Sequence, residues 1–192
     1  MSLPSQERRE LLALARQAIL AAVHRTPPPD TLRVSPALTP PSGAFVTLQQ
    51  GGRLRGCIGQ VESAEPLADT VAHCAVAAAM EDPRFTPVRA EEIADLEIEI
   101  SVLSPLAPVR PEEIEIGRHG LIVSRGRTRG LLLPQVAVEF HWARERFLQE
   151  TCRKAGLEPS AWQDPAVRIE AFTAEVFSEA DYRTEQHAQA SD

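Results

Sequence analysis

The fold of this chain is decided by the stretch LEIEISVL at residues 96–103. Apolar residues alternate there with polar ones, so Glu97 and Glu99 share one side of the segment. A period of two is typical of a β-strand that places one face on the core. The stretch therefore predicts a strand whose other face carries two carboxylates.

Further strands and helices flank this stretch on both sides. Glycine-containing turns between β-rich runs predict two hairpins, and apolar residues three and four apart predict helices. The predicted strands are 44–48, 53–61, 96–103, 121–124, 131–133 and 168–176, and the predicted helices are 5–25, 66–80, 136–140 and 144–155. Because strand pairs are mixed with helices rather than alternating strictly with them, we predict the α+β class, an antiparallel sheet with flanking helices.

The length and composition indicate one compact domain. The chain has 192 residues, of which 43% are hydrophobic and 24% are charged, which suffices for a sizeable core. Six prolines in residues 26–43 predict an irregular connection after the first helix. We expect a single domain over residues 1–183 and a disordered polar tail over residues 184–192.

Charge and hydropathy exclude several classes of partner. The net charge is −7, whereas a nucleic-acid-binding domain is usually basic. No apolar stretch approaches the roughly 20 residues that span a bilayer, and the N-terminus lacks the pattern of a secretory signal. We therefore expect a cytoplasmic protein that binds neither nucleic acid nor membrane.

The cysteines and known motifs point to no cofactor. The three cysteines, Cys57, Cys74 and Cys152, form no CxxC pair, so neither a disulfide framework nor a structural zinc site is indicated. No two histidines have metal-ligand spacing, and the P-loop, dinucleotide and GxSxG motifs are absent from the sequence. The sequence predicts no metal site and no cofactor.

The most unusual segment is LRGCIG at residues 54–59. On a regular strand, Cys57 shares its face with Arg53 and Arg55, and a nearby guanidinium favours the reactive thiolate. Cys57 is therefore a candidate nucleophile or redox thiol, with Arg55 holding an anionic substrate. The alternative is that Cys57 is a small buried apolar residue, as free cysteines commonly are.

The two glycines of this segment, Gly56 and Gly59, are further candidates for a binding site. Glycine in a strand often marks close approach of a ligand or of another chain segment. The first interpretation makes both residues part of a substrate-binding surface. The second makes them packing positions.

Three other places carry candidate residues. Glu99 could position a substrate, although a solvated strand face produces the same pattern. Asp82 and Arg84 could bind substrate or could simply fix the turn after the preceding helix. His119, between two glycines, could face a cleft.

With these residues laid out, the chain resembles the AMMECR family, whose prokaryotic members form component A of the AmmeMemoRadiSam system. The hallmark of that family is LRGCIG. The segments that carry the resemblance are FVTL at 45–48, LRGCIG at 54–59, DPRF at 82–85, LEIEISVLS at 96–104, GRHGL at 117–121, GLLLPQVA at 130–137 and FLQETCRKAGL at 147–157.

The resemblance implies an α+β fold with two closely packed subdomains, one larger and one smaller. It also implies two partners, a Memo-like protein and a radical-SAM protein, through the association that the system's name records. It implies no established biochemical activity, so it leaves the chemistry of the chain open.

Two functions remain open from the sequence. The first is a site for an unknown small-molecule ligand, centred on Cys57 and used together with the two partners. The second is a non-catalytic adaptor in which LRGCIG belongs to a docking face. For the first function we expect LRGCIG, DPRF and the His119 turn to converge, because a ligand site needs a few polar groups on a rigid scaffold.

Overall fold

The computed structural model describes residues 2–182. The chain divides into two compact units. The first contains the chain up to Leu103 and again from Glu175, and the second is Ser104–Ala174. The predicted disordered tail, 184–192, lies outside the described residues, and the boundary predicted for a single domain stays a prediction.

The first unit contains two helices, three complete antiparallel strands and the end of the last strand. Its elements are α1 (Ser5–His24), β1 (Ala44–Gln50), β2 (Arg53–Gln60), α2 (Leu67–Met80) and β3 (Leu96–Leu103). The strand order is β2-β1-β3. Gly51 and Gly52 join β1 to β2 with φ angles of 58° and 74°, a conformation that favours glycine.

The core of the first unit lies between the sheet and both helices. Val46 and Leu48 of β1 and Ile98 and Ile100 of β3 are completely or almost completely buried there. Apolar residues of α1 and α2 pack against them, and the last strand contributes Phe177. The side of the sheet opposite this core carries the alternate residues of each strand.

The second unit contains four antiparallel strands and two helices. Its elements are β4 (Ala107–Pro108), β5 (His119–Arg125), β6 (Thr128–Leu132), α3 (Pro134–Glu139), α4 (Arg144–Lys154) and β7 (Arg168–Ser178), the last of which continues into the first unit. The strand order is β6-β5-β7-β4. Phe147, Leu148 and Cys152 of α4 are buried in its core. Gly156 follows α4 with φ of 72°, as a helix-ending glycine does.

The α+β prediction is confirmed, and most elements end within a few residues of the predicted bounds. Two differences come from pairing with β7. This pairing extends β5 back to His119, where the sequence has too little apolar alternation to indicate a strand. Strand β4 is only two residues long and depends on pairing with β7. Within residues 2–182, no helix is long and apolar enough to cross a membrane.

Candidate functional site

A row of three side chains crosses the sheet of the first unit on the face away from its helices. Thr47 of β1 is paired with Cys57 of β2 on one side and with Glu99 of β3 on the other. Directly paired residues of antiparallel strands point to the same face. We call Cys57, Thr47 and Glu99 the cross-strand row. Each of its residues is partly exposed.

The Cys57 sulfur has a specific hydrogen-bond donor. The Thr47 hydroxyl donates to Sγ over 3.3 Å. This contact fixes the position of the sulfur relative to β1. Cys57 is also the accessible cysteine, because Cys74 and Cys152 are buried.

The peptide groups of Cys57 are held by the DPRF segment. The Asp82 carboxylate accepts the Cys57 N–H over 2.8 Å, and the Arg84 guanidinium donates to the Cys57 carbonyl over 3.2 Å. Strand β2 is at the edge of the sheet, so among residues 2–182 these groups have no partner strand on that side. Asp82 and Arg84 satisfy them instead.

Asp82 is itself tightly bound. Its side chain is only 2% exposed, and its two oxygens accept three hydrogen bonds from Arg84 at 2.6 to 3.1 Å. These contacts hold the pKa of the Asp82 carboxyl well below its usual range, chiefly through the Arg84 hydrogen bonds. We call Asp82, Arg84 and the Cys57 peptide groups the edge clamp.

Strand β2 departs from the predicted alternation at Arg55. The pairing passes from Leu48–Gly56 to Gln49–Leu54, so Arg55 occupies a β-bulge with no partner on β1. Its guanidinium binds the Glu92 carboxylate at 2.9 and 3.2 Å and the Thr86 carbonyl at 2.9 Å. The arginine whose guanidinium contacts Cys57 is therefore Arg84, which strand alternation did not indicate.

The ion pair between Arg55 and Glu92 is largely buried. Their side chains are 12% and 15% exposed. Hydrogen bonds from Arg55, and then the backbone N–H of Arg89, lower the pKa of Glu92 to about 2. No motif or periodicity in the sequence singles out Glu92. The role of Arg55 in holding an anionic substrate stays a prediction.

Gly56 and Gly59 have packing reasons that the structure makes explicit. A Cβ at Gly56 would lie 2.1 Å from the carbonyl oxygen of Ala78, so α2 can approach β2 only over glycine. A Cβ at Gly59 would lie 2.3 Å from the Phe45 ring. Both positions are thus approached closely by other segments of the chain. Their role in substrate binding stays a prediction.

Glu99 lies at the far end of the cross-strand row from Cys57. Burial raises the pKa of Glu99, and the negative charges of Asp181 and Glu97 raise it further. Within residues 2–182, no arginine forms an ion pair with its carboxylate. The row therefore ends in a carboxyl group that keeps its proton to a higher pH than an ordinary glutamate.

His119 belongs to the second unit. It is the first residue of β5, paired with Thr173 of β7, and its Nδ1 accepts the backbone N–H of Glu115 over 3.1 Å. The structure brings Cys57, Asp82 and Arg84 together in the first unit. The predicted convergence of His119 with them stays a prediction.

The described residues offer no group suited to a metal ion. Among residues 2–182, no three histidine, cysteine, aspartate or glutamate side chains are arranged to share one. The chemical groups at hand in the first unit are instead a thiol, a hydroxyl and a carboxyl group in the cross-strand row.

The fold and this site define a class of α+β proteins in which the edge clamp holds an LRGCIG segment on an edge strand. The model of the AMMECR1 family matches residues 12–177, and this chain belongs to that family. It is 46% identical over 184 residues to a protein of Thermococcus gammatolerans and 44% identical over 184 residues to protein PH0010 of Pyrococcus horikoshii. Each alignment covers 88% of both chains.

A solved structure supports the same conclusion. The crystal structure of the uncharacterised protein PH0010 from Pyrococcus horikoshii is similar to this chain with a TM-score of 0.82 and 40% identity. The similarity covers 92% of this chain and 93% of the other. The α+β fold is therefore shared over nearly the whole of both proteins.

Proposed function

We propose that this protein binds a small molecule over the cross-strand row, with Cys57 as its central contact. The observation that carries the proposal is the combination of an accessible thiol, a hydroxyl that donates to it and a backbone held by the buried Asp82. Core packing alone does not require such a combination. A preorganised group of this kind is what a binding or catalytic site needs.

Each residue of the row has a definite part in this proposal. Cys57 contacts the ligand through its sulfur and, in the thiolate form, is the candidate nucleophile of the row. Glu99, two strands away, lies about 10 Å from it by the usual strand spacing. Its carboxyl group, whose pKa is raised by burial, can accept a hydrogen bond from a ligand. The row therefore suits a ligand that is polar at both ends.

The partners are part of the same proposal. A Memo-like protein and a radical-SAM protein, which the family resemblance implies, would supply or use the ligand that this chain holds. The solvent side of Arg84, whose side chain is 54% exposed, is accessible to such a ligand or partner. The edge clamp leaves its guanidinium with N–H groups to spare.

The test is an untargeted metabolite screen on the purified full chain, read by mass spectrometry and by thermal shift. Cys57→Ala and Glu99→Gln should each lower retention of a bound metabolite by at least about tenfold, since each removes a direct contact. Cys74→Ala is the matched control, because it removes a thiol that is buried in the core. A metabolite retained equally by all variants would contradict the proposal.

A non-catalytic adaptor that docks through the second unit, and not through LRGCIG, is the second candidate function. The observation in its favour is a pair of exposed large apolar side chains in the second unit, Val138 and Phe140, which are 51% and 58% exposed. The Phe140 ring stacks on Trp142 at a centroid distance of 5.1 Å. Large exposed aromatic residues are common where proteins dock.

The two candidates make opposite predictions for one pair of variants. If the chain is an adaptor, Phe140→Ser should abolish co-purification of a Memo-like or radical-SAM partner while Cys57→Ala leaves it intact. If the protein functions by binding a ligand at the cross-strand row, Cys57→Ala should abolish ligand binding and Phe140→Ser should not. Loss of ligand binding in Phe140→Ser alone would count against the cross-strand row.

A further inference from the structure

We propose that a cavity in the second unit binds a small molecule with a compact apolar body and a hydrogen-bond-accepting oxygen, and that the Nε2–H group of His119 donates to that oxygen. The cavity has a volume of about 200 Å³, and all the residues that line it belong to the second unit. A water's share of liquid volume is about 30 Å³, so the cavity has room for roughly seven non-hydrogen atoms.

The orientation of the His119 ring is the first argument. Its Nδ1 accepts the backbone N–H of Glu115. An acceptor nitrogen carries no proton, so the neutral ring has its proton on Nε2. No residue within 2–182 forms a hydrogen bond with Nε2. The Nε2–H group of His119, which lines the cavity, is therefore an unpartnered donor.

Thr173 adds a second polar group next to this donor. It is the cross-strand partner of His119 and also lines the cavity. Its backbone N–H is used, because it donates to the Ser104 hydroxyl oxygen over 2.9 Å. Its own hydroxyl has no hydrogen-bond partner among residues 2–182. His119 and Thr173 thus place two unpartnered polar groups side by side.

The rest of the lining is uncharged and, apart from Ser104, apolar. Pro105, Pro108, Val109 and Ala171 form much of it, and strand β4 is fixed there by pairing with β7. None of the residues that line the cavity is an aspartate or glutamate, although the chain carries a net charge of −7. An oxygen acceptor, including a carboxylate, therefore meets no opposing negative charge in the lining.

These features select the chemistry of the ligand. A few convergent polar groups in an otherwise apolar cavity orient a small molecule and decide which functional group binds. The Nε2–H group can form a hydrogen bond only with a ligand that carries an acceptor atom. A cation of the same size that has only donor groups would find no carboxylate in the lining. A short branched carboxylic acid or amide has the right size and the right group.

Isobutyrate is titrated into the full-length ¹⁵N-labelled chain, and the chemical shifts of the backbone amides are followed by NMR. We expect saturable shifts centred on Glu115, His119 and Thr173, with a Kd of roughly 1–50 mM for so small a ligand. The ring ¹⁵N spectrum should show His119 with its proton on Nε2. Isobutylamine, with the same carbon skeleton but a cationic donor in place of the acceptor, should cause no saturable shift.

Two variants and a control connect this binding to the cavity. His119→Ala should weaken isobutyrate binding at least tenfold. Thr173→Val, which replaces a hydroxyl by a methyl of similar size, should weaken it about threefold to tenfold. His24→Ala removes an exposed histidine of α1 and should leave binding unchanged. The Thr173→Val result keeps the test decisive if His119→Ala does not fold.

Three outcomes would overturn the proposal. They are the absence of a saturable shift with isobutyrate, equal binding of isobutylamine, and wild-type affinity in folded His119→Ala or Thr173→Val. Because the readout is isobutyrate binding at the second unit, failure here leaves the metabolite test of Cys57 unaffected. The two proposals can therefore fail independently.

Discussion

Cys57 differs from the other two cysteines in both access and surroundings. Cys74 is 5% exposed and Cys152 is 0% exposed. Burial raises the pKa of Cys74 to about 11 and raises that of Cys152. Both buried thiols therefore have a low fraction of thiolate at neutral pH and are poorly accessible to reagents.

We predict that iodoacetamide modifies Cys57 fastest of the three thiols in the folded protein at neutral pH. The measurement is the rate of carbamidomethylation at each cysteine, followed by peptide mass spectrometry. Cys57→Ala should remove the fast phase and leave the slow reactions unchanged. Faster modification of Cys74 or Cys152 would show that access and burial do not control reactivity here.

Asp82 makes the edge clamp sensitive to a single substitution. Asp82→Asn replaces one acceptor oxygen by a donor and leaves Arg84 and the Cys57 N–H without a charged partner. We predict a loss of about 2–4 kcal/mol in the free energy of unfolding, because unpaired groups then remain at a buried site. Urea unfolding measures this loss.

The control for Asp82→Asn is Glu112→Gln, in an ion pair whose side chains are both more than 60% exposed. Exposed pairs of this kind contribute little, so its unfolding midpoint should hardly move. A similar loss in both variants would mean that burial of Asp82 does not determine the strength of the clamp.

Strand β2 is held at its bulge by the 3-10 helix Ala90–Asp95, through the ion pair of Arg55 with Glu92. Pairing lowers the pKa of Glu92 to about 2 from an ordinary value of 4.5. The stabilisation is therefore fully present above pH 4.5 and is lost as the pH falls toward 2. Since the pair is partly screened, we expect it to contribute on the order of 2 kcal/mol.

We predict that Glu92→Gln flattens the fall in stability between pH 4.5 and pH 2 and lowers stability at pH 7. Unfolding free energies measured across this range for the variant and the native sequence give the difference directly. Glu113→Gln is a matched control, because Glu113 caps the N-terminus of an equivalent 3-10 helix with Arg110 but is much more exposed. An unchanged pH profile in Glu92→Gln would contradict the assignment.

The first unit is held together by contacts between its N-terminal residues and the segment that includes the end of β7. Glu175 of β7 accepts the Leu3 N–H and pairs with Arg8. Glu179 accepts hydrogen bonds from Arg16 and from the Ile98 N–H. Phe177 lies between these residues in sequence and is 2% exposed in the core.

We predict that a chain ending at Ala174 loses the cooperative unfolding transition of the first unit. Loss of Phe177 alone costs about 3–5 kcal/mol, a large part of the 5–15 kcal/mol that stabilises a typical domain. Thermal unfolding followed by near-UV circular dichroism tests this. A chain ending at Tyr182 keeps all of these contacts and should unfold as the full chain does, and cooperative unfolding of the shorter chain would contradict the prediction.

The sequence by itself determined most elements of this protein and singled out its most unusual segment. The alternation in residues 96–103 and the paired glycines at Gly51 and Gly52 indicate strand and hairpin from local rules, because backbone preference and side-chain period act within a few residues. LRGCIG stood out for the same reason. Its glycines and its cysteine do not suit an ordinary strand.

Only the tertiary structure decided which groups meet. The ion pair of Arg55 with Glu92 and the clamp of Asp82 and Arg84 on Cys57 join residues 25 to 37 positions apart. No local pattern encodes them, since they depend on how α2 returns the chain to the edge of β2. The polar groups of an outer strand must find partners, and the fold, not the motif, determines which ones they find.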